Sequence, residues 1–204
     1  GMGGGVIAWK GGIIVETKGM NQVLEIDEGN FTVTVQTGIT IWELNEVLAR
    51  KGLWFPQQPE SKRSSTIGAT IGCDNDSTFG LRYGKIKEYL TNAVVVTGRA
   101  EAVRVGQRKS SFSSTGYRLL DLLIGSEGTL GVVTEATLRI LPLPKTRQIR
   151  GYLFRSLNEA AKALERLLSA GLTVESAHIN CRHRLRFYTH TYREKYGREP
   201  NVPE

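Results

Sequence analysis

The stretch Gly125-Ser126-Glu127-Gly128-Thr129-Leu130-Gly131-Val132-Val133 places one carboxylate and two hydroxyls among three glycines. Glycine admits backbone conformations that other residues resist, and it lets a ligand approach the main chain closely. A β-branched run follows, with Val132, Val133, Thr134 and Thr137 leading to Leu138, Ile140 and Leu141. A hydroxyl-bearing glycine turn that feeds a buried strand can hold a cofactor against the backbone. The same spacing also serves an ordinary hairpin, and glycine spacing alone favours the hairpin. Other glycines, Gly3 to Gly5, Gly11-Gly12, Gly68 and Gly72, are spread over many turns. Such a spread suits a large ligand gripped by several loops, with backbone N–H groups on phosphate oxygens.

Other chemistries find less support. His178, His183 and His190 have no metal-ligand partner at credible spacing and read as solvated or packing side chains. No nucleophilic triad, Walker sequence or strand-linked GxGxxG is present. Cys73 and Cys181 lie far apart and match no metal spacing, which suits a reducing cytoplasm. The net charge of +7 comes from 27 basic against 20 acidic residues. Much of the excess lies in Arg182, His183, Arg184, Arg186, Arg193, Lys195 and Arg198, interleaved with Phe187, Tyr188, Tyr192 and Tyr196. No recognition motif accompanies them. A solvated helix, or a face for an anionic ligand or partner, ranks above a nucleic-acid binder. No apolar run reaches the ~18–20 residues that span a bilayer. The N-terminus reads as leaderless, with Gly1-Met2 as an added glycine ahead of a start Met.

The elements that must position these residues follow from periodicity. Ile13–Val15, Val23–Ile26 and Thr32–Gln36 read as short strands. Thr40 with Glu43 three residues on caps a helix whose apolar face is Ile41, Leu44, Val47 and Leu48, with Gly52 as the stop. Pro56 and Pro59 break regular structure. Ser61 to Gly84 is rich in Ser, Thr, Gly, Asn and Asp and reads as a long functional loop. Tyr89–Thr97 reads as a strand with Val94, Val95 and Val96 fully buried, and Glu101–Val105 as its return after the Gly98-Arg99-Ala100 turn. Leu119–Leu123 reads as a short helix. Pro142 and Pro144 mark a boundary. Beyond it, Ile149–Phe154 and Val174–Ile179 read as strands around a helix capped by Ser156 and Glu159, ended by Gly171, with Ala160, Ala163, Leu164, Leu167 and Leu168 facing inward. Cys181 to Gly197 reads as an amphipathic helix stopped by Pro200 and Pro203.

Taken in order, these segments resemble the FAD-binding domain of the vanillyl-alcohol oxidase, or PCMH, type. The nearest branch is the group of FAD-linked glycolate oxidases, D-lactate dehydrogenases and alkyldihydroxyacetonephosphate synthases. The resemblance is carried by Gly11-Gly12-Ile13-Ile14-Val15, Met20-Asn21, Thr32-Val33-Thr34-Val35-Gln36 with Gly38, Pro59 to Ser61, Ser65-Thr66-Ile67-Gly68, Tyr83-Gly84, and above all Gly125 to Pro142. It implies an α+β fold with two α/β lobes, the first incomplete, and FAD between them. Residues 1–145 would form the FAD-binding domain, and 146–204 the start of a ferredoxin-like cap. By motif match, Glu60, Ser61, Ser64, Ser65, Thr66, Ile67 and Gly68, with Cys73, Asp74, Asn75 and Asp76, would border the pyrophosphate and flavin. Ser126, Glu127, Gly128, Thr129, Leu130, Gly131, Val132 and Val133 would line the nucleotide.

Departures from the family pattern shape the remaining expectations. Aligning on Lys10-Gly11-Gly12 makes Gly4-Gly5 the second glycine pair and leaves the Gly-Gly-Gly-Thr/Ser phosphate loop unmatched, as in a chain truncated at both ends. The family's paired glycine reads Gly68-Ala69. Its Ala/Asn-Ser-Gly reads Asn75-Asp76-Ser77, which brings Asp74 and Asp76 near the flavin. The resemblance implies FAD-dependent oxidation of a glycolate- or lactate-like 2-hydroxy acid, with FAD held non-covalently. By itself the chain is expected to bind FAD weakly or not at all. Cys73 reads as a small buried residue rather than a flavin linkage site. Within the family, Ser113-Ser114-Thr115-Gly116 leans toward synthase chemistry on a glycerone-phosphate-type substrate. Outside catalysis, the chain reads as a remnant or half-enzyme that self-associates or needs a complementary chain. The basic tail leaves peripheral membrane contact open.

Overall fold

Phe31-Thr-Val-Thr-Val-Gln alternates small polar and β-branched residues, the pattern of a strand with two distinct faces. A computed structural model of the chain describes residues 7–107, 109 and 116–200. Gly3 to Gly5, Ser113-Ser114-Thr115 and Pro203 lie outside the described residues. In it the alternating run is β2 (Thr32–Gln36), paired antiparallel with β1 (Val23–Asp27) and β6 (Val132–Arg139). β4 (Leu90–Val96) lies on the other side of β6, and β5 (Ala102–Gly106) closes the order β1-β2-β6-β4-β5. Val33, Val35, Ala136 and Leu138 are fully buried on one face. On the other, the hydroxyls of Thr34 and Thr137 meet at 3.0 Å.

The helices cover the apolar face. α1 (Ile41–Ala49) starts with the expected capping box: Glu43 N–H donates to Thr40 Oγ1 at 3.1 Å, and Thr40 N–H donates to Glu43 Oε2 at 2.9 Å. Its stripe Ile41, Leu44 and Leu48 is fully buried, and burying each such side chain contributes about 1.5–3 kcal/mol. A two-stranded ribbon, β3 (Leu53–Trp54) with β7 (Leu141–Pro142), continues the same core.

Two expected features of this unit are corrected. Ile13–Val15 is extended but pairs with nothing among the described residues, and all three side chains are exposed. A strand needs a ladder partner, and alternation alone does not supply one. Val94 and Val96 are only half-buried while Val95 is buried, because β4 has one face on the core and one turned away.

The polar segment Ser61 to Gly84 is also not one long loop. It holds α2 (Ile67–Cys73) and α3 (Gly80–Tyr83), followed by a 3-10 turn at Ile86–Glu88. Ile67, Thr70 and Ile71 have helical spacing and are buried. With only seven residues in α2, composition hides that stripe.

The chain divides into two compact units, Gly1–Pro144 and Lys145–Glu204. The second contains α5 (Leu157–Ser169), capped by Ser156, and α6 (Arg182–Tyr196) between Cys181 and Gly197. Neither Ile149–Phe154 nor Val174–Ile179 forms a strand, which corrects the expected β-α-β unit. No residue of α5 is buried: Ala160, Ala163 and Leu164 are half-covered, and Leu167 and Leu168 are exposed. Without a sheet to receive that stripe, the flanking extended segments have no ladder to join.

Candidate functional site

α2 gathers the sequence-predicted residues. Its first turn is fixed by Ile67 N–H donating to Ile39 O at 2.9 Å and Gly68 N–H donating to Thr37 O at 2.8 Å. Gly68 packs closely, since a Cβ there would lie 3.2 Å from both Cβ and Oγ1 of Thr37. Thr66 caps the helix through Ala69 N–H at 3.2 Å. Before it, Ser61 to Ser65 form a tight turn. Ser64 and Ser65 N–H both donate to Ser61 O at 2.9 Å, the Ser61 and Ser65 hydroxyls share one bond at 2.7 Å, and the Ser64 hydroxyl returns to Ser61 O at 3.1 Å. These hydroxyls therefore build the turn and lie on its surface. Lys62 and Arg63 sit over the Trp42 ring at 5.3 and 4.4 Å from its centroid. Glu60 is exposed at the start of the turn.

The other end of α2 carries Cys73 to Asp76. Cys73 is exposed, contrary to its expected burial; it is the last residue of α2 and lies off the helix's buried stripe of Ile67, Thr70 and Ile71. Asp74 adopts a left-handed conformation, φ 46°, uncommon for a non-glycine residue. Its Oδ2 accepts from Lys85 Nζ at 2.8 Å, and Asp76 Oδ1 lies 3.3 Å from the same ammonium. The Asp74 hydrogen bond, more than any other influence, raises the Lys85 pKa above its ordinary value. Gln57, fully buried, donates through Nε2 to Asn75 O at 2.7 Å. Two buried acceptors around this turn, Gln57 Oε1 and Asp74 Oδ1, have no hydrogen-bond partner among the described residues.

The glycine turn docks on the same end of the helix. Gly125 N–H donates to Ile71 O and Glu127 N–H to Gly72 O, both at 2.9 Å. The turn joins α4 (Leu120–Leu123) to β6, so it is not a hairpin. Its N–H groups at Gly125, Ser126, Glu127, Thr129 and Gly131 all donate to protein carbonyls, while those of Gly128 and Leu130 meet no carbonyl among the described residues. The Ser126 and Thr129 hydroxyls donate to Leu123 O and Ser126 O at 2.8 and 2.7 Å. Glu127, Gly128, Thr129 and Leu130 are exposed. Gly131 lies against β4, where a Cβ would come within 2.6 Å of Val96 O. Gly128 is the opposite case: a Cβ there would meet nothing within 4 Å.

The glycine turn, more than fifty residues further along the chain, thus docks on the short helix that Ser61–Thr66 and Cys73–Asp76 flank. Sequence reasoning missed Lys85, Gln57 and Thr37. Two acids in one polar segment were a signal for a nearby cation; the pairing of Gln57 with Asn75 left none. The three histidines join no cluster able to hold a metal among the described residues. Surface hollows in the second unit lie along single helices, α5 and α6; the second is lined by Arg186 and Arg193 of the basic run, and neither contains a residue that the resemblance assigns to FAD. The chemistry favours α2.

Comparison with known proteins decides the family. Residues 1–106, just over half of the chain, match the family described as FAD binding domain. The chain belongs to that family. It is 36% identical over 167 residues to glycolate oxidase subunit GlcD of Bacillus subtilis, covering 82% of this chain and 35% of that protein. A D-lactate dehydrogenase of Anaerostipes hadrus is 36% identical over 146 residues, covering 72% of this chain and 30% of the relative. A solved alkyldihydroxyacetonephosphate synthase superposes with a TM-score of 0.68 at 28% identity, covering 76% of this chain and 28% of that one. The chain spans about a third of the length of these curated relatives.

The α2 face suits the family's dinucleotide in chemistry. Gly128 leaves open space above an exposed turn. Gln57 Oε1 and Asp74 Oδ1 are buried acceptors with spare capacity, and an N–H-bearing ring system supplies donors. No described helix is long and apolar enough to cross a membrane.

Proposed function

We propose that this chain is the FAD-holding part of a flavin-dependent enzyme that oxidises a small 2-hydroxy acid, with FAD bound non-covalently along α2. The docking of the Gly125–Val133 turn on the helix that Ser61–Thr66 and Cys73–Asp76 flank supports the reading. The Gly128 and Leu130 N–H groups are donors for phosphate oxygens, with the Ser64, Ser65 and Thr66 surface on the opposite end of the helix. Gln57 and Asp74 offer acceptors to ring N–H groups. Gly128 lets the cofactor approach the main chain, and β6 from Val132 to Val133 forms the wall behind it. When bound, FAD supplies the two-electron acceptor; the protein supplies orientation. A division into an FAD-binding domain, 1–145, and the start of a substrate cap, 146–204, belongs to the same reading.

Glycolate and lactate enzymes among the relatives support this substrate class. The likeness to alkyldihydroxyacetonephosphate synthase supports a second reading, exchange chemistry on a glycerone-phosphate-type substrate. Two free cysteines suit a reducing compartment, and a cytoplasmic location belongs to the proposal. So does a second copy or complementary chain over the exposed Ile13, Ile14 and Val15, which sedimentation tests directly.

Titrating the chain with FAD while following flavin fluorescence tests the cofactor claim. Glycolate or D-lactate with an artificial electron acceptor tests the substrate class. Saturable binding with turnover of either acid supports the reading; no saturation overturns the cofactor claim. Turnover confined to glycerone-phosphate-type compounds overturns the substrate class.

A further inference from the structure

Resting on the FAD reading above, we propose that Lys85 is a positioning residue that sets the charge and shape of the Cys73–Asp76 wall, so that an anionic dinucleotide can lie beside two carboxylates. Lys85 Nζ spans Asp74 and Asp76 at 2.8 and 3.3 Å. The Lys85 and Asp74 side chains are each 35% exposed, against 98% for Asp76. The first pair is therefore screened less than an open surface ion pair. The ammonium also arrives on a firm backbone. Gly84 before it has φ +69°, and Ile86 after it is fully buried.

The wall is acidic without it. Glu127 joins through its main-chain bond to Gly72 and is exposed on the same end of α2. Asp74, Asp76 and Glu127 thus flank the site, and Lys85 is the cation paired with the first two. FAD carries two phosphate charges of its own. Like charges within a Debye length, about 8 Å at physiological salt, repel appreciably. Asp74, left-handed at the end of α2, also keeps its other oxygen, Oδ1, buried with no hydrogen-bond partner among the described residues.

Cys73 provides a reporter that does not depend on FAD, since it is exposed and adjacent to Asp74. With Cys181→Ser in place it is the sole thiol. Its reaction rates with an anionic and with a neutral disulfide reagent give a ratio that reads the local potential. At low ionic strength Lys85→Met is expected to lower that ratio about 3–10-fold and to weaken FAD binding about tenfold. Both effects shrink toward twofold in high salt. Lys85→Arg stays within about twofold of the parent. The triple variant Asp74→Asn/Asp76→Asn/Lys85→Met removes both carboxylates with the ammonium and returns the reagent ratio to the parent value or above, which guards against a folding defect in Lys85→Met. An unchanged reagent ratio overturns the charge role. A changed ratio with unchanged FAD affinity overturns its bearing on the cofactor. If the parent chain takes up no FAD while the ratio shifts as stated, the FAD reading fails and the electrostatic role of Lys85 stands.

Discussion

The main-chain N–H of Glu127 donates to the carbonyl of Gly72 at 2.9 Å, and Gly125 N–H reaches Ile71 O one turn position earlier. These two bonds fasten the glycine turn to the last turn of α2. Glu127 is left-handed there, φ 49°, as is Asp74 at φ 46°. Two non-glycine residues in that region, on facing segments, are a local strain that the surrounding bonds must hold.

The two glycines of that turn should separate folding from binding. At Gly131 a Cβ would strike Val96 O at 2.6 Å and Val95 Cγ1 at 2.7 Å. Gly131→Ala is expected to destabilise the chain by about 3 kcal/mol, through overpacking and the positive φ together. At Gly128 the space is open, so Gly128→Ala should cost only about 1–2 kcal/mol while lowering FAD affinity. Urea melts with parallel FAD titrations compare the two. Equal stability losses would contradict the division.

Thr40 and Glu43 form the cap that starts α1, and Thr40→Ala is expected to cost about 1 kcal/mol in a urea melt. The Thr40 backbone bond, reinforced by the Thr40 hydroxyl, holds the Glu43 carboxyl below its ordinary value of 4.5. A lowered folded-state pKa means stability that is present above the unfolded value and lost as pH falls through the folded one. The difference between parent and Glu43→Gln should therefore narrow below about pH 4.5.

Tyr89 titrates at the other extreme. Its hydroxyl donates to Tyr83 O at 2.6 Å and its ring meets Phe55 edge-on. Burial pushes the phenol from 10.0 up to about 12. A raised folded pKa contributes stability below the unfolded value that is lost as pH rises through the folded one, here from pH 10 to about 12. Ultraviolet phenolate absorbance should show one tyrosine ionising late, absent in Tyr89→Phe. A parent curve matching that of Tyr89→Phe would refute the assignment.

Much of the first unit was readable because its signals are local. The Thr40–Glu43 box, the alternation of Thr32–Gln36 and the β-branched run after Gly131 each specify their own element. What escaped depended on partners. Ile13–Val15 has strand composition and no ladder, and so do Ile149–Phe154 and Val174–Ile179, because pairing is a property of two segments. α2 was hidden since its stripe is three residues, Ile67, Thr70 and Ile71, inside a polar run. Lys85, signalled only by the two acids, and Gln57, signalled by nothing, escaped for a related reason. Their roles come from the fold bringing them to Asp74 and Asn75, 11 and 18 positions away.

The central claim is that the α2 face holds FAD. Fluorescence titration of FAD into the purified chain, with Gly128→Ala alongside, tests this most directly. The expected result is weak but saturable one-to-one quenching, weak because the Gly-Gly-Gly-Thr/Ser phosphate loop is unmatched, that weakens further in Gly128→Ala while its fold, followed by circular dichroism, is retained. A linear response with no saturation up to about 100 μM FAD, roughly the −5 kcal/mol level of binding, would contradict it, as would an affinity indifferent to Gly128.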